Sequence, residues 1–198
     1  MALVTIASCG CATESTASPT NDTRDATYRC WQELKVVSDQ LNNKLDSTDD
    51  PSDDLAKIAK SFADYAAAMN HAHDQLSDLA VADVDQRLIR FVARDIKLLA
   101  DYSQLFTELS YWAANMDQTQ KHANSWDASI ESFLRGFFGD PMGKFNELNG
   151  RFQQLEQQRD ALLARCSVKN NEWAVLLGEL LQLRAELSRD FGCEFPSL

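Results

Sequence analysis

Histidines are the first side chains to examine for chemistry, because imidazole acts both as a general base and as a metal ligand. His71 and His73 are separated by one residue. On a helix that spacing turns the two rings about 200° apart, away from a shared metal ion. Asp74 and Asp78 follow His71 by three and seven residues, on the same helical face. The sequence therefore offers His71, Asp74 and Asp78 only as a weak metal candidate, and we expect no metal and no other cofactor.

The motifs that carry catalysis in helical and α/β proteins are missing from the chain. It has no Glu-x-x-His, which the di-iron sites of helical bundles require, and no His-Glu-x-x-His or Gly-x-Ser-x-Gly. Residues 139–144 have the glycines and the lysine of a phosphate-binding loop, but Phe145 stands where a Ser or Thr would hold magnesium. We therefore expect a protein that is not an enzyme.

Composition and charge narrow the class further. The chain has 198 residues, with 30 acidic and 19 basic side chains and a formal net charge of −11. Such a chain has no surplus of positive charge to neutralise a run of phosphates, so we expect no binding to nucleic acid. Seven glycines and four prolines are too few for a turn-dense all-β fold, and the length fits a single domain.

Apolar residues recur at alternating spacings of three and four over most of the chain. This pattern is typical of long helices that pack side by side. It predicts an all-α fold, an elongated antiparallel helical bundle with coiled-coil-like heptad packing, over residues 24–198. Asp50-Pro51 is expected to start the second helix, and Asp83 followed by Gln86 resembles a capping box for the third. The clearest apolar series is Leu55, Ile58, Phe62, Tyr65, Met69, Ala72, Leu76 and Leu79.

The last segment has clear start and stop signals. Asp140-Pro141 favours a helix start, and Gly192 favours a helix end, because glycine adopts the left-handed conformation that ends helices. The apolar register does not slip between these signals, which favours one helix over residues 141–191. Two antiparallel helices joined at residues 169–171 are the alternative.

The N-terminus has a pattern that is typical of an exported protein. Ile6-Ala7-Ser8-Cys9 places an aliphatic residue and two small residues before a cysteine, and it resembles the lipobox of bacterial lipoproteins. The resemblance implies that Cys9 is lipidated and anchors the chain to a membrane. Eight residues precede Cys9 and none is basic, so translation is then expected to start farther upstream. Residues 1–23 would be a signal remnant and a flexible tether.

The remaining cysteines leave two interpretations open. Cys11, Cys30, Cys166 and Cys193 are an even number, which is consistent with two disulfide bridges in any of three pairings. The alternative is that Cys30 and Cys166 are small apolar core residues, since both fall on apolar stripes.

Residues 126–145 depart from the helical pattern, because they combine aromatic residues with three glycines. Connections in bundles are usually short and polar, whereas this one is expected to span about 20 residues. It is either a cap on the end of the bundle or an apolar docking surface for a protein partner. The partner-binding candidates are Trp126, Ile130, Phe133, Leu134, Phe137 and Phe138.

A basic face is predicted on the third helix, where Arg87, Arg90, Arg94 and Lys97 follow one another at spacings of three and four. These residues either pair with acidic residues of a neighbouring helix or bind an anion such as a lipid headgroup. Asp95 is the one break in the apolar stripe of the same helix. We expect it to set the register by bonding to a partner side chain.

These observations favour a non-enzymatic lipoprotein of the bacterial cell envelope. It would be anchored through Cys9, face the periplasm, and act as an adaptor or assembly component through its helical faces, with a protein partner or with a second copy as a homodimer. One alternative is a ligand- or metal-binding bundle in which residues 126–145 form an aromatic lid over a cavity. The other is a cytosolic coiled-coil structural protein with a disordered N-terminus.

Overall fold

The computed structural model describes residues 20–48, 53–133 and 141–198, and for residues 126–133 and 141–145 it describes the backbone. Over these residues the chain forms four helices and no strand: α1 (Asn21–Asp46), α2 (Leu55–Ser77), α3 (Gln86–Phe133) and α4 (Pro141–Phe191). The all-α helical bundle is confirmed, and heptad packing stays a prediction. No described helix has a stretch apolar enough to span a membrane.

Thr20 sets the beginning of α1. Its hydroxyl oxygen accepts the backbone N–H of Thr23 at 3.2 Å, which satisfies a donor that the first turn leaves free. The helix therefore begins at Asn21, three residues before the expected start of the bundle at residue 24. A second hydroxyl ties α1 to the turn before α3, because Thr27 Oγ1 accepts the N–H of Asp85 at 2.9 Å.

The caps of α2 and α3 differ from the predicted ones. The carboxylate of Asp54 accepts backbone N–H groups of the first turn of α2, the shorter contact being 2.9 Å. Asp85 does the same for α3 by accepting the N–H of Arg87 at 2.8 Å. Asp50 and Pro51 lie outside the described residues, but α2 begins only at Leu55 and α3 at Gln86, so the predicted starts of both helices are wrong. An aspartate that directly precedes each first turn caps it instead. Asp83 lies in the preceding turn, with a left-handed φ of 61°.

The two long helices form an antiparallel hairpin. They have 48 and 51 residues, which corresponds to about 72 Å and about 77 Å. α4 is one continuous helix, so the alternative of two helices is wrong. It begins at Pro141 and ends before Gly192, as predicted, and Gly192 has a φ of 63°. Because α3 continues to Phe133, the expected connection of about 20 residues is also wrong.

α2 packs closely on α3 through small residues. Ala59 and Ala66 are buried on α2. The hydroxyl of Ser110 donates to the carbonyl oxygen of Ala59 at 2.7 Å, and that of Ser103 donates to the carbonyl oxygen of Ala66 at 3.1 Å. Alanine leaves the backbone of α2 accessible, and a helical carbonyl oxygen has a second lone pair to accept such a bond. The two pairs fix the antiparallel register of α2 and α3.

Charged side chains that are seven residues apart on α3 join this helix to α4. The sign of the charge on α3 changes halfway, from two arginines to an aspartate and a glutamate, and α4 has the complementary sign at each point. A register displaced along this contact would oppose like charges. We call the four ion pairs the α3–α4 seam: Arg87–Asp190, Arg94–Glu179, Asp101–Lys169 and Glu108–Arg165.

The larger core cluster lies at the end of the bundle where α1 meets residues 192–198. Trp31 and Phe195 are fully buried there and contact each other edge to face, with ring centroids 5.5 Å apart. The indole N–H of Trp31 donates to the carbonyl oxygen of Pro196 at 2.9 Å, and Arg184 Nε donates to that of Phe195 at 2.6 Å. Residues 192–198 therefore join α1 to α4.

Candidate functional site: a cavity beside Asp95

Asp95 lies in the buried face of α3, where the other residues of the stripe are apolar. Phe91 and Leu99, one turn before and one turn after it, are 7% and 1% exposed, and Asp95 itself is 8% exposed. Among the described residues, no hydrogen bond or ion pair reaches its carboxylate. The expected partner side chain is therefore absent among the described residues.

A cavity of about 270 Å³ opens beside Asp95, between the four helices; we call it the Asp95 cavity. Among the described residues, Asp95 is the only charged side chain in its wall. Ser38 and Asn42 on α1 and the indole of Trp173 on α4 supply the other polar atoms. Small-molecule sites have this mainly apolar composition with a few polar groups. The apolar lining consists of Leu34, Val37, Leu41, Ala72, Leu76, Phe91, Leu99, Leu176, Leu177, Leu180 and Leu198.

Burial raises the pKa of Asp95 to about 6, because removal from water disfavours the charged form of the carboxyl group. No basic side chain lines the cavity to oppose this effect. With that pKa the carboxylate is still ionised at pH 7, in a ratio of about ten to one. A buried charge without a partner is costly, and a cation or a hydrogen-bond donor that enters the cavity reduces this cost.

Residues 192–198 close one side of the cavity, since Leu198 lies in its wall. The segment is held by the two carbonyl contacts to Trp31 and Arg184, and the N–H of Phe195 donates to Ser188 Oγ at 3.2 Å. No sequence pattern predicted a role for this segment. Its signal is the pair of large apolar residues, Phe195 and Leu198, that follows the end of α4.

The basic face of α3 is partly neutralised. Arg87 and Arg94 pair with carboxylates of α4 in the α3–α4 seam, which confirms for these two the pairing interpretation. Arg90 and Lys97 are exposed and have no ion pair among the described residues, so the anion interpretation is left with two residues. The sequence signal that was missed is the spacing of seven that continues from the arginines to Asp101 with a change of sign.

The weak metal candidate of the sequence, formed by His71, Asp74 and Asp78, is not a metal site in the described structure. His71 is exposed, and the ring nitrogen Nδ1 of His73 lies 3.0 Å from Asp74 Oδ1. In the part of the chain that the structure describes, no group of three or more His, Cys, Asp and Glu is placed to hold a metal ion. His71, Asp74 and Asp78 therefore do not form a ligand set.

The described cysteines are all free. Cys30 is 2% exposed, and burial raises the pKa of its thiol to about 11. Cys166 and Cys193 are partly buried, and no bridge joins any two of the three. Two bridges would require at least one such bridge, so that expectation is wrong, whereas the interpretation of Cys30 as an apolar core residue is confirmed. Cys11 lies outside the described residues.

The remaining site candidates from the sequence lie either where only the backbone is described or outside the described residues. The backbone of Trp126, Ile130 and Phe133 belongs to α3. The lipidation candidate Cys9 and the partner-binding candidates Leu134, Phe137 and Phe138 lie outside the described residues.

Comparison with known proteins adds nothing to this geometry. The chain matches no family model, no curated protein and no solved structure. The candidate site therefore rests on the Asp95 cavity and on the residues that surround it.

Proposed function

We propose that the protein is a binding protein that holds a small, mainly apolar ligand in the Asp95 cavity. The observation that carries this proposal is the open space of about 270 Å³ inside the core, because protein interiors are otherwise close-packed. This function is the ligand-binding alternative from the sequence, but at a different place. The cavity lies between the four helices, and its described lining includes no residue of 126–145.

The burial of the lining residues indicates where a ligand enters. Asn42 on α1 and Leu177 on α4 line the cavity and are exposed, Leu177 to 45%. Leu34, Leu99 and Leu176 are each at most 4% exposed and form the inner wall. The mouth therefore lies between α1 and α4, and an entering ligand would replace water in an apolar space.

Titration of the full chain with 2-phenylethanol tests this proposal, with saturable NMR shifts of the cavity methyl groups as the readout. Ser38→Phe should abolish the shifts, because Ser38 lines the cavity and a ring at this position fills it. Val36→Phe is the matched control, since Val36 lies on the same helix, is 53% exposed and does not line the cavity. Absence of binding to the wild-type chain, or equal binding by both variants, would refute the proposal.

An assembly role is the second candidate function, and the outer surface of α4 favours it. Of the eight exposed large hydrophobic side chains among the described residues, five lie on this helix: Leu163, Val168, Val175, Leu177 and Leu181. Leu163, Leu177 and Leu181 share one helical face, because they are 14 and four residues apart. We propose that this face, the α4 leucine stripe, pairs with the same stripe of a second copy.

The charge of α4 is compatible with a second copy of the chain as the partner of the α4 leucine stripe. The chain has a net charge of −11, so most surfaces of two copies repel each other. α4 itself is neutral, because it has seven acidic and seven basic side chains, so pairing along this helix adds no net repulsion. Light scattering of the full chain should show a dimer, and Leu181→Glu should convert it to a monomer with an unchanged melting temperature. A wild-type monomer at high concentration would exclude this role.

We also propose that either role is performed at the bacterial cell envelope, with the bundle anchored through a lipid on Cys9. The support is the lipobox-like pattern of residues 6–9. Intact mass and fractionation of the protein expressed from its native gene test it, with Cys9→Ala as the control. A diacyl or triacyl mass on a chain that begins at Cys9 is expected. An unmodified chain in the soluble fraction would instead favour a cytoplasmic location.

A further inference from the structure

We propose that the ligand of the Asp95 cavity is a small organic ammonium compound, with its apolar body in the cavity and its charged nitrogen against the Asp95 carboxylate. This inference rests on the proposed function, because it assumes that the cavity takes a ligand. It adds the chemical class of that ligand, which the apolar lining alone does not determine.

The environment of the carboxylate is the main argument. Asp95 is more than nine-tenths buried, lines the cavity, and has no hydrogen bond or ion pair among the described residues. A neutral hydrocarbon would leave this charge unpaired, and an anion would be repelled by it. A metal ion such as calcium requires several oxygen ligands, and the described wall contains no second Asp or Glu side chain. A ligand with one positive charge and N–H donors satisfies the site.

The aromatic residues beside Asp95 are also suited to a cation. Phe91 on α3 and Trp173 on α4 line the same cavity. Their ring faces attract an ammonium group, and Trp is the strongest aromatic partner for this interaction. The ring of Trp173 is held edge to face against Tyr102, with centroids 6.1 Å apart and an interplanar angle of 85°. The described wall contains no Lys or Arg that would compete for the carboxylate.

The volume limits the size of the ligand. A cavity of about 150 Å³ holds one benzene molecule, so about 270 Å³ has room for one ring with a short chain. 2-Phenylethylamine has this size and is cationic at neutral pH. 2-Phenylethanol has the same number of heavy atoms and the same ring but no charge, so the two compounds are a matched pair.

The pH dependence of binding should come from Asp95. No other side chain in the described wall titrates between about pH 5 and pH 8. Since burial raises the pKa of Asp95 to about 6, the amine should bind more weakly as the pH falls through this value, whereas the alcohol should not change. The residues of the other elements that line the described wall with Asp95 include Ser38 and Asn42 from α1, Ala72 and Leu76 from α2, Trp173, Leu176, Leu177 and Leu180 from α4, and Leu198.

The experiment compares the two compounds by calorimetric titration of the full chain at pH 7. The amine should bind about 10- to 100-fold more tightly than the alcohol, which is the range for a hydrogen bond to a charged group. Asp95→Asn should remove this preference, and a thermal melt checks that the variant is folded. Asp101→Asn is the matched control, because Asp101 lies on the same helix but belongs to the α3–α4 seam, and it should keep the preference.

Each outcome separates this inference from the proposed function. Equal affinity for amine and alcohol in the wild-type chain would overturn the inference and leave the apolar ligand site in place. A preference for the amine that survives Asp95→Asn would also overturn it. Absence of saturable binding by both compounds would overturn the proposed function itself. If Asp95→Asn does not fold, the wild-type titration between pH 7 and pH 5 decides, because a constant preference would overturn the inference.

Discussion

The α3–α4 seam and the Asp95 cavity lie on the same helix, yet they contain carboxylates in opposite situations. Asp101 in the seam lies 2.8 Å from Lys169 Nζ, and its side chain is 35% exposed. Asp95, six residues earlier, is 8% exposed and has no partner among the described residues. Paired charges at the surface fix a register at little cost, whereas a buried unpaired charge destabilises the fold. The seam therefore belongs to the architecture, and the cavity is where we place the function.

The largest loss of stability is expected when a second charge is added to the wall of the Asp95 cavity. Leu99→Asp places a carboxylate at a position that is 1% exposed and one turn from Asp95. We expect a loss of more than about 4 kcal/mol, which is a large part of the roughly 5–15 kcal/mol that stabilises a single domain. Circular dichroism during heating measures it. Ala100→Asp, at the exposed neighbouring position, is the control and should melt like the wild type. Similar melting of both variants would mean that the register of α3 is wrong.

Removal of the Asp95 charge should have the next largest effect, and it should stabilise the protein. A pKa raised from 3.8 to about 6 corresponds to about 3 kcal/mol of destabilisation at pH 7. Asp95→Leu removes this penalty and continues the apolar stripe. Asp101→Leu is the comparison, and it should not stabilise, because it breaks an ion pair with Lys169. Urea unfolding at pH 7 measures both; a less stable Asp95→Leu would contradict the expectation.

The pH dependence of the stability difference between Asp95→Leu and the wild type tests whether the Asp95 charge causes it. The folded pKa of Asp95 lies above the unfolded one, so the folded state binds more protons between about pH 4 and pH 6. The advantage of Asp95→Leu over the wild type should therefore be absent below about pH 4, grow up to about pH 6, and stay constant above it. Other carboxylates titrate equally in both proteins and cancel. An advantage that does not change with pH would exclude the Asp95 charge as its cause.

The smallest effect is expected at the seam. Arg165 holds the pKa of Glu108 below its usual value, but the two side chains are 49% and 32% exposed. Glu108→Gln should therefore cost about 0.5 kcal/mol or less, because solvent screens exposed pairs. The folded pKa of Glu108 is lowered, so its contribution is present near neutral pH and is lost as the pH falls. Urea unfolding at low and high salt measures it. A loss of unfolding free energy as large as that of Leu99→Asp would contradict the expected difference between the α3–α4 seam and the Asp95 cavity.

The sequence predicted the parts of this fold that depend on local physics. Pro141 and Gly192 mark the ends of α4, because their backbone preferences act within one turn. The stripe of apolar residues predicted which face of each helix is buried, and it drew attention to Asp95 as a polar break. The caps were harder to place, because several aspartates precede α2 and α3, and local pattern does not decide which of them is the cap.

The environment of Asp95 could not be predicted, because it depends on contacts between distant segments. Asp95 and Lys169 both break an apolar stripe, and periodicity alone would allow them to pair. The seam sets the relative position of α3 and α4, and it gives Lys169 to Asp101 instead. The closure of the cavity by Leu198 was also missed, since no periodic pattern connects residues 192–198 to α1.

The hydrogen bond from Trp31 to Pro196 joins residues that are 165 positions apart in the chain. During synthesis α1 leaves the ribosome well before this partner segment. α2, α3 and α4 can pack earlier, since they are consecutive and their contacts run along adjacent helices. Docking of α1 against residues 192–198 must wait until those residues have been synthesised, because its contacts join segments of high sequence separation. The Asp95 cavity is therefore completed only after residues 192–198 close one side of it.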